Sequence, residues 1–232
     1  MVTISYLQYN ECTNDKFMIL YTFDPNTDLI AIHYSILHSL THLLSIILYN
    51  ISAGPLAGPV MAAAVILPVG LTIIGVDDSK KLTPDKRDKL FDIIMAQALS
   101  VGVGVMTPAD IDSINILQAT RCAMLAAVLN LSQPPDYLLI DGISTIDSRI
   151  PQKTIKKGDS LSLSIAAASI IAKVTRDRVM IEMDAKYPGY GFAGHKGYGS
   201  AAHMDAIKRL GPSPIHRLTF GGVKEYVSCT CS

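Results

Sequence analysis

The chain has 232 residues, 49% hydrophobic and 17% charged, with 20 basic and 20 acidic residues for a formal net charge of zero. That length suits one or two domains with an ample core, and the composition excludes a collagen-like repeat, low-complexity disorder and a small disulfide scaffold. Charge is spread unevenly, with 13 basic against 6 acidic residues in 149–232 and one against four in 1–52; the C-terminal third reads as a polyanion-facing surface or as a solvated lysine face.

Residues 1–52 show weak periodicity. Within them Leu29–Leu48 lacks Asp, Glu, Lys and Arg and matches a membrane span in length. His33, His38, His42 and several hydroxyl residues dilute it, so no membrane contact is favoured. Gly54–Pro59 (GPLAGP) predicts a tight turn. Val60–Leu67 predicts a buried strand, with Ala62, Ala63 and Ala64 small enough for close packing. Thr83-Pro84-Asp85 predicts a helix start: Thr caps, Pro takes the first helical position, and Asp suits the positive end. Leu90, Phe91, Ile94, Met95 and Ala98 follow at helical spacing. Val101, Val103 and Val105 alternate with glycines as in a strand.

Thr107-Pro108-Ala109-Asp110 repeats the helix-start pattern. Ile111, Ile114, Leu117, Met124, Leu125 and Val128 continue that helix's apolar stripe until Pro134-Pro135. Tyr137–Ile140 predicts a short strand ending at Asp141. A long helix is expected from about Ser162 to Lys186, and loop plus a short helix over Pro188–Ile215. Alternating strands and helices indicate an α/β layer fold, whose ligands bind beyond the carboxyl ends of the strands. Asp141 falls at such an end.

The four cysteines, Cys12, Cys122, Cys229 and Cys231, have no zinc-type spacing and no disulfide framework, which fits a reducing, intracellular compartment. Cys122 sits in an apolar helical pattern and is expected in the core.

Two carboxylates stand out. Asp141, followed by glycine, is either a turn aspartate or an open-site acid; Asp159, in Lys157-Gly158-Asp159, is either a helix cap or a second acid converging on the first. Paired carboxylates near a basic surface suit Mg²⁺ or Mn²⁺. Lys80, Lys81, Lys173, Arg176, Arg178 and Lys196, with the aromatic ring of Tyr198, suit phosphates and stacking on a sugar or base. His195, His203 and His216 show no metal-ligand spacing.

Eight blocks appear in order: GPLAGPV (54–60), DSKKL (78–82), INILQAT (114–120), LIDG (139–142), KGD (157–159), SIAAASIIAKVTRD (164–177), YPGYGFAGHKGYG (187–199) and GPSPIHR (211–217). Over residues of about 54 to 220 the chain closely resembles bacterial-type ribonuclease HII, the type 2 ribonucleases H. The resemblance implies a ribonuclease H-like α/β fold, a mixed central sheet flanked by helices with a helical and loop C-terminal part. It implies an endoribonuclease that cleaves the RNA strand of RNA–DNA hybrids and nicks 5′ of ribonucleotides embedded in DNA, using two divalent metal ions, Mn²⁺ or Mg²⁺. Asp141 and Asp159 match two of the family's four metal-binding acids. Tyr198 matches the tyrosine that packs on the sugar beside the ribonucleotide. Gly54 remains from the substrate-reading turn, and Lys80 and Lys173 are assigned to phosphate contact.

The family's first motif is an Asp-Glu pair, then Ala, then Gly-Arg-Gly. Here that frame reads Tyr49-Asn50-Ile51-Ser52-Ala53-Gly54. Both carboxylates are absent, which should cripple a two-metal site, because neutral groups cannot balance the cation charge. The break is abrupt, so residues 1–53 read as a divergent segment: an exon or frame error, an unspliced intron, or a fusion. Residues 54–225 are expected to form the ribonuclease HII-like domain and 226–232 a tail. Leu43–Leu48 is apolar enough to stand in as the family's central first strand. The alternative functions are a catalytically impaired hybrid-binding relative and, third, a membrane-tethered variant. A cytoplasmic monomer is expected.

Overall fold

The computed structural model describes the backbone of residues 2–10, 15–23, 31–35, 45–51, 54–156, 158 and 162–229, and side chains between 54 and 227 except 157 and 159–161. The chain divides into two compact units, Met1–His42 and Leu43–Ser232. In the first, β1 (Val2–Asn10), β2 (Asp15–Phe23) and β3 (Ala31–Ser35) form an antiparallel sheet in that order. Among the described residues no helix is long and apolar enough to cross a membrane.

The second unit is built on five strands: β4 (Ser45–Ile51), β5 (Val60–Ile66), β6 (Ser100–Met106), β7 (Tyr137–Asp141) and β8 (Gln152–Ile155), in the order β6-β5-β4-β7-β8. The sheet is mixed. β4 pairs antiparallel with β5 and parallel with β7, β5 pairs antiparallel with β6, and β7 pairs parallel with β8. β4 is therefore central, and Ser45–Leu48 of the apolar segment does lie in a strand, residues 43 and 44 being outside the described residues. The helices are α1 (Pro84–Gln97), α2 (Pro108–Leu129), α3 (Leu163–Lys186), α4 (Phe192–His195) and α5 (Ala201–Leu210), followed by a 3-10 turn over Lys224–Cys229. This is the expected ribonuclease H-like α/β fold.

Alternation along β5 divides the core. Val60, Ala62, Ala64 and Ile66 pack with α2 residues Ile111, Ala119, Ala123 and Ala127, whereas Ala63 and Val65 pack with Ile94 of α1 and Ala167, Ala168 and Ile171 of α3. Helices on both faces explain why β5 is an unbroken apolar run rather than an alternating one. The helix starts are as read. Thr83 Oγ1 accepts from the Lys86 N–H, and Thr107 with Asp110 forms a reciprocal capping box ahead of Pro108. Pro188–Ile215 holds two helices, α4 and α5, rather than one.

β6 is the strand that the Val-Gly alternation predicts, and two other sequence expectations are corrected. In β6 the buried positions are Ser100, Gly102 and Gly104, while Val105 is exposed. A methyl group at Gly102 or Gly104 would overlap the carbonyl oxygens of Ala127 or Ala123, so the helix backbone lies directly on the strand. Cys122 is exposed, because α2 turns Ala119, Ala123 and Ala127 toward the sheet. The α2 stripe is also interrupted. Asn115 adopts φ 67°, ψ 164°, and its Oδ1 accepts from the N–H groups of Leu117 and Gln118 at 3.0 and 3.1 Å. It acts as an internal N-cap, and Ile114 and Leu117 on either side are exposed.

Candidate functional site

The turn between β4 and β5 is gripped from two sides. Leu56 N–H donates to Gly197 O at 2.8 Å, Gly58 N–H donates to Ile215 O at 2.8 Å, and Arg217 N–H donates to Leu56 O at 2.9 Å. Two guanidinium groups lie beneath it, both fully buried. Arg176 donates to Lys196 O at 2.9 Å, Ala57 O at 3.3 Å and Pro59 O at 3.4 Å. Arg217 donates to Gly58 O at 3.1 Å and Pro59 O at 3.5 Å. Burial, and then the neighbouring Arg176, push the Arg217 pKa down to about 10, so it remains a cation at neutral pH. Arg176 is thus a clamp on carbonyls and not a surface contact for phosphate. Arg178 also differs from the sequence reading, pairing with Asp88 at 3.0 Å and covering the Phe91 ring.

The grip places Gly54 against Tyr198. Gly54 is exposed, and a Cβ there would lie 3.8 Å from Tyr198 Cε1. Tyr198 is 42% exposed, with Lys173 Nζ 6.0 Å and Arg176 Cζ 5.7 Å from its ring centroid. Three of the residues singled out from sequence, Gly54, Lys173 and Tyr198, therefore meet at one place. Lys173 is mostly buried and pairs with Asp177 at 2.7 Å. Burial lowers its pKa, and Asp177 opposes the shift.

Lys80 is exposed on a separate loop, which Arg87 ties to α3. Arg87 Nη1 donates to Ser79 O at 2.9 Å and Leu82 O at 2.7 Å, and its Nη2 lies 3.8 Å from Asp177 Oδ2. A charged cleft of about 410 Å³ lies here, lined by Arg87, Lys173, Asp177, Arg178 and Lys196 among others. Sequence reasoning missed Arg87 and Asp177; the four-residue spacing from Lys173 to Asp177 was the available signal.

Asp141 ends β7, half-buried, with Oδ1 accepting the Gly158 N–H at 2.8 Å. It borders a cavity of about 300 Å³ that also touches Leu117, Arg121, Met124 and Ile143. Arg121 Nε closes one side by donating to Thr145 O at 2.9 Å. The parallel register pairs Ile47 with Leu139 and Leu48 with Ile140. One step further, the Tyr49 backbone reaches the level of Asp141, with Asn50 opposite Ala62 of β5. Asp159 lies outside the described residues. Among the described residues no group of three or more His, Cys, Asp or Glu side chains is gathered to hold a metal ion.

The three histidines without ligand spacing form a cluster under Tyr198. His195 stacks on His203 with centroids 4.2 Å apart, and His203 Nε2 meets His216 Nε2 at 3.0 Å. Burial first, then His203, push the His216 pKa down to about 4, and burial lowers His203 as well. The unfolded chain then binds more protons between pH 6.5 and 4, so stability is full above pH 6.5 and falls as pH drops through that window. His216 alone is expected to cost about 2 kcal/mol between pH 7.5 and pH 5. Urea midpoints at the two pH values check this; His216→Gln should remove that part of the slope.

A family model described as Ribonuclease HII matches residues 51–223. A ribonuclease HII of Pelobacter propionicus is 69% identical over 179 residues, covering 77% of this chain and 82% of that protein. Among solved structures, the ribonuclease H2 from Pyrococcus horikoshii OT3 superposes with a TM-score of 0.67 at 26% identity, covering 78% of this chain and 96% of that one. Bst-RNase HIII in complex with Mn²⁺ shares the fold, with a TM-score of 0.62 at 19% identity over 80% of this chain and 70% of that one. With an ordered set of blocks, a matching sheet and this degree of identity, the chain belongs to the ribonuclease HII family and is by family a ribonuclease H-type nuclease, a phosphodiester hydrolase.

Proposed function

We propose that the chain acts on RNA–DNA hybrid duplexes and on DNA carrying embedded ribonucleotides, cleaving the RNA strand of the first and nicking 5′ of the ribonucleotide in the second. The observation that carries this is the meeting of Gly54, Tyr198 and Lys173. A glycine without a side chain lets a sugar–phosphate backbone approach, an exposed ring offers a stacking face, and a cation lies beside it. Lys80, joined to this surface through Arg87 and Asp177, is read as a further phosphate contact. Asp141 and Asp159 are read as metal-binding acids for Mg²⁺ or Mn²⁺; the Mn²⁺ complex of a protein of the same fold supports a divalent ion.

The donor set does not fit a two-ion centre. Asp141 already accepts a backbone N–H, and the strand positions where the family has Asp-Glu hold Tyr49 and Asn50. The register therefore favours a second reading, a relative that binds these duplexes and cleaves them poorly. In either reading residues 54–225 are the nuclease domain, 226–232 a tail, and 1–53 a divergent segment that nevertheless contributes β4. The protein is read as a monomer of the cytoplasm.

The test is nicking of a DNA duplex with one ribonucleotide by the purified chain, in Mg²⁺ or Mn²⁺. Cleavage 5′ of the ribonucleotide that disappears in Asp141→Asn supports the nuclease. Retained duplex binding without cleavage supports the second reading, and loss of both overturns the proposal.

A further inference from the structure

The histidine cluster leaves one protonation pattern open. The Ser213 N–H donates to His216 Nδ1 at 2.8 Å, and a backbone N–H can only donate, so that nitrogen carries no proton. Ser213 Oγ lies 2.7 Å from the same nitrogen and donates to it too. The His216 proton is then on Nε2, facing His203 Nε2 at 3.0 Å. His203 Nε2 must accept, which puts its proton on Nδ1, and Nδ1 lies 2.9 Å from the Tyr198 carbonyl oxygen. A carbonyl can only accept, so the links from the Ser213 N–H through His216 and His203 to Tyr198 run in one direction. The His216 Nδ1 contact with Ser213 O, at 3.3 Å, is the longer one and is outcompeted by the 2.8 Å N–H donor.

We propose that His203 and His216 are positioning residues that fix the Tyr198 loop through this one-way chain of neutral imidazoles, joining the GPSPIHR segment to the ring that faces the duplex. Both rings are almost fully buried. A second proton on either would set one N–H against another and break the chain. The same orientation rule holds for the neighbouring His195. Its Nδ1 accepts from the Gly197 N–H at 3.2 Å, and its Nε2–H donates to Tyr190 O at 2.8 Å. The Tyr190 hydroxyl is turned away from His216, donating to Gly211 O at 2.7 Å. The chain therefore holds Tyr198 by its backbone while the ring stays exposed. Its consequence for substrate rests on Tyr198 facing the duplex.

The experiment has three arms at pH 7.5. Imidazole ¹⁵N spectra of the unsubstituted chain should show His216 as the Nε2–H tautomer and His203 as the Nδ1–H tautomer; either ring in the other form overturns the proposal without any variant. His216→Leu, an apolar replacement, should shift the Tyr198 ring resonances, identified by their loss in Tyr198→Phe. His216→Gln keeps an N–H toward His203 and should leave them in place. Ring signals unmoved in a folded His216→Leu overturn the proposal. Binding in EDTA to a DNA duplex with one ribonucleotide, against the all-DNA duplex, reads the consequence. The preference should fall about tenfold in His216→Leu and in Tyr198→Ala. An unchanged preference in Tyr198→Ala instead overturns the placement of Tyr198 on the duplex, and the tautomer and ring-signal arms then judge the histidine chain by themselves.

Discussion

Replacing Tyr49 by Asp and Asn50 by Glu together is expected to raise metal-dependent nicking of a ribonucleotide-bearing duplex by about 10³-fold or more. The reason lies in the strand register. β4 runs parallel to β7, and its backbone draws level with Asp141 one step beyond the Leu48–Ile140 pair. The double substitution returns two anionic groups to the strand end where the family has them. Stabilising transition-state charge by several kcal/mol is what bound cations supply in such sites, and about 1.4 kcal/mol is a factor of ten in rate. Adding Asp141→Asn to the double variant should abolish the gain.

A second readout does not depend on turnover. In EDTA the double variant should melt below the parent, because like charges crowd Asp141. Mn²⁺ should raise its melting temperature well beyond any effect on the parent, since a ligand that binds the native state stabilises it. Equal melting shifts in parent and variant would show that β4 does not deliver these side chains to the metal-binding acids.

The other large effect is structural. Gly104→Ala is expected to cost about 3 kcal/mol or more, as overpacking at a rigid contact does. A methyl group there would overlap Ala123 O and crowd the Ala127 N–H. Neither is a flexible side-chain end, so β6 and α2 must separate. They can do so only by opening the cluster that Ala62, Ala64, Ala123 and Ala127 share. Gly194→Ala is the control, because nothing lies within 4 Å of a Cβ there and its φ is not left-handed. Urea unfolding should leave the control within about 0.5 kcal/mol of the parent. A Gly104→Ala protein of parental stability would mean that α2 does not lie directly on β6.

Local chemistry made much of this fold readable. Thr83-Pro84 and Thr107-Pro108 announce α1 and α2 because caps and first-turn prolines act within a few residues. The apolar run Val60–Ile66 and the strand leading to Asp141 follow from burial. The ordered blocks identify the family. What sequence alone did not show depends on contacts between distant segments. Gly102 and Gly104 sit under a helix backbone on one face of β6, while Val101 and Val103 pack, partly buried, on the other. Asn115 breaks α2 with its own side chain, in a backbone conformation that apolar spacing does not register. Arg176 and Arg217 count as surface charge in a sequence, yet both are buried on carbonyls more than a hundred residues away. The histidines lack metal-ligand spacing because they bind one another and the backbone instead. At the site itself, Gly54, Lys173 and Tyr198 were each singled out from sequence, but their meeting at one place needed the fold.

The central position of β4 has a consequence for how the protein is made. Its antiparallel partner β5, and β6 beyond that, both precede residue 107, so the β6-β5-β4 part of the sheet is complete once residue 106 has left the ribosome. The partner on the other side, β7, begins only at residue 137. Until then β4 presents a bare, apolar sheet edge (Ser45–Leu48 await Tyr137–Ile140), the kind of edge that recruits other chains. The interval between those two points of synthesis is the vulnerable one. Slow codons between residues 107 and 136 would prolong it, and a chaperone guarding this nascent chain would be needed there rather than at the end of translation.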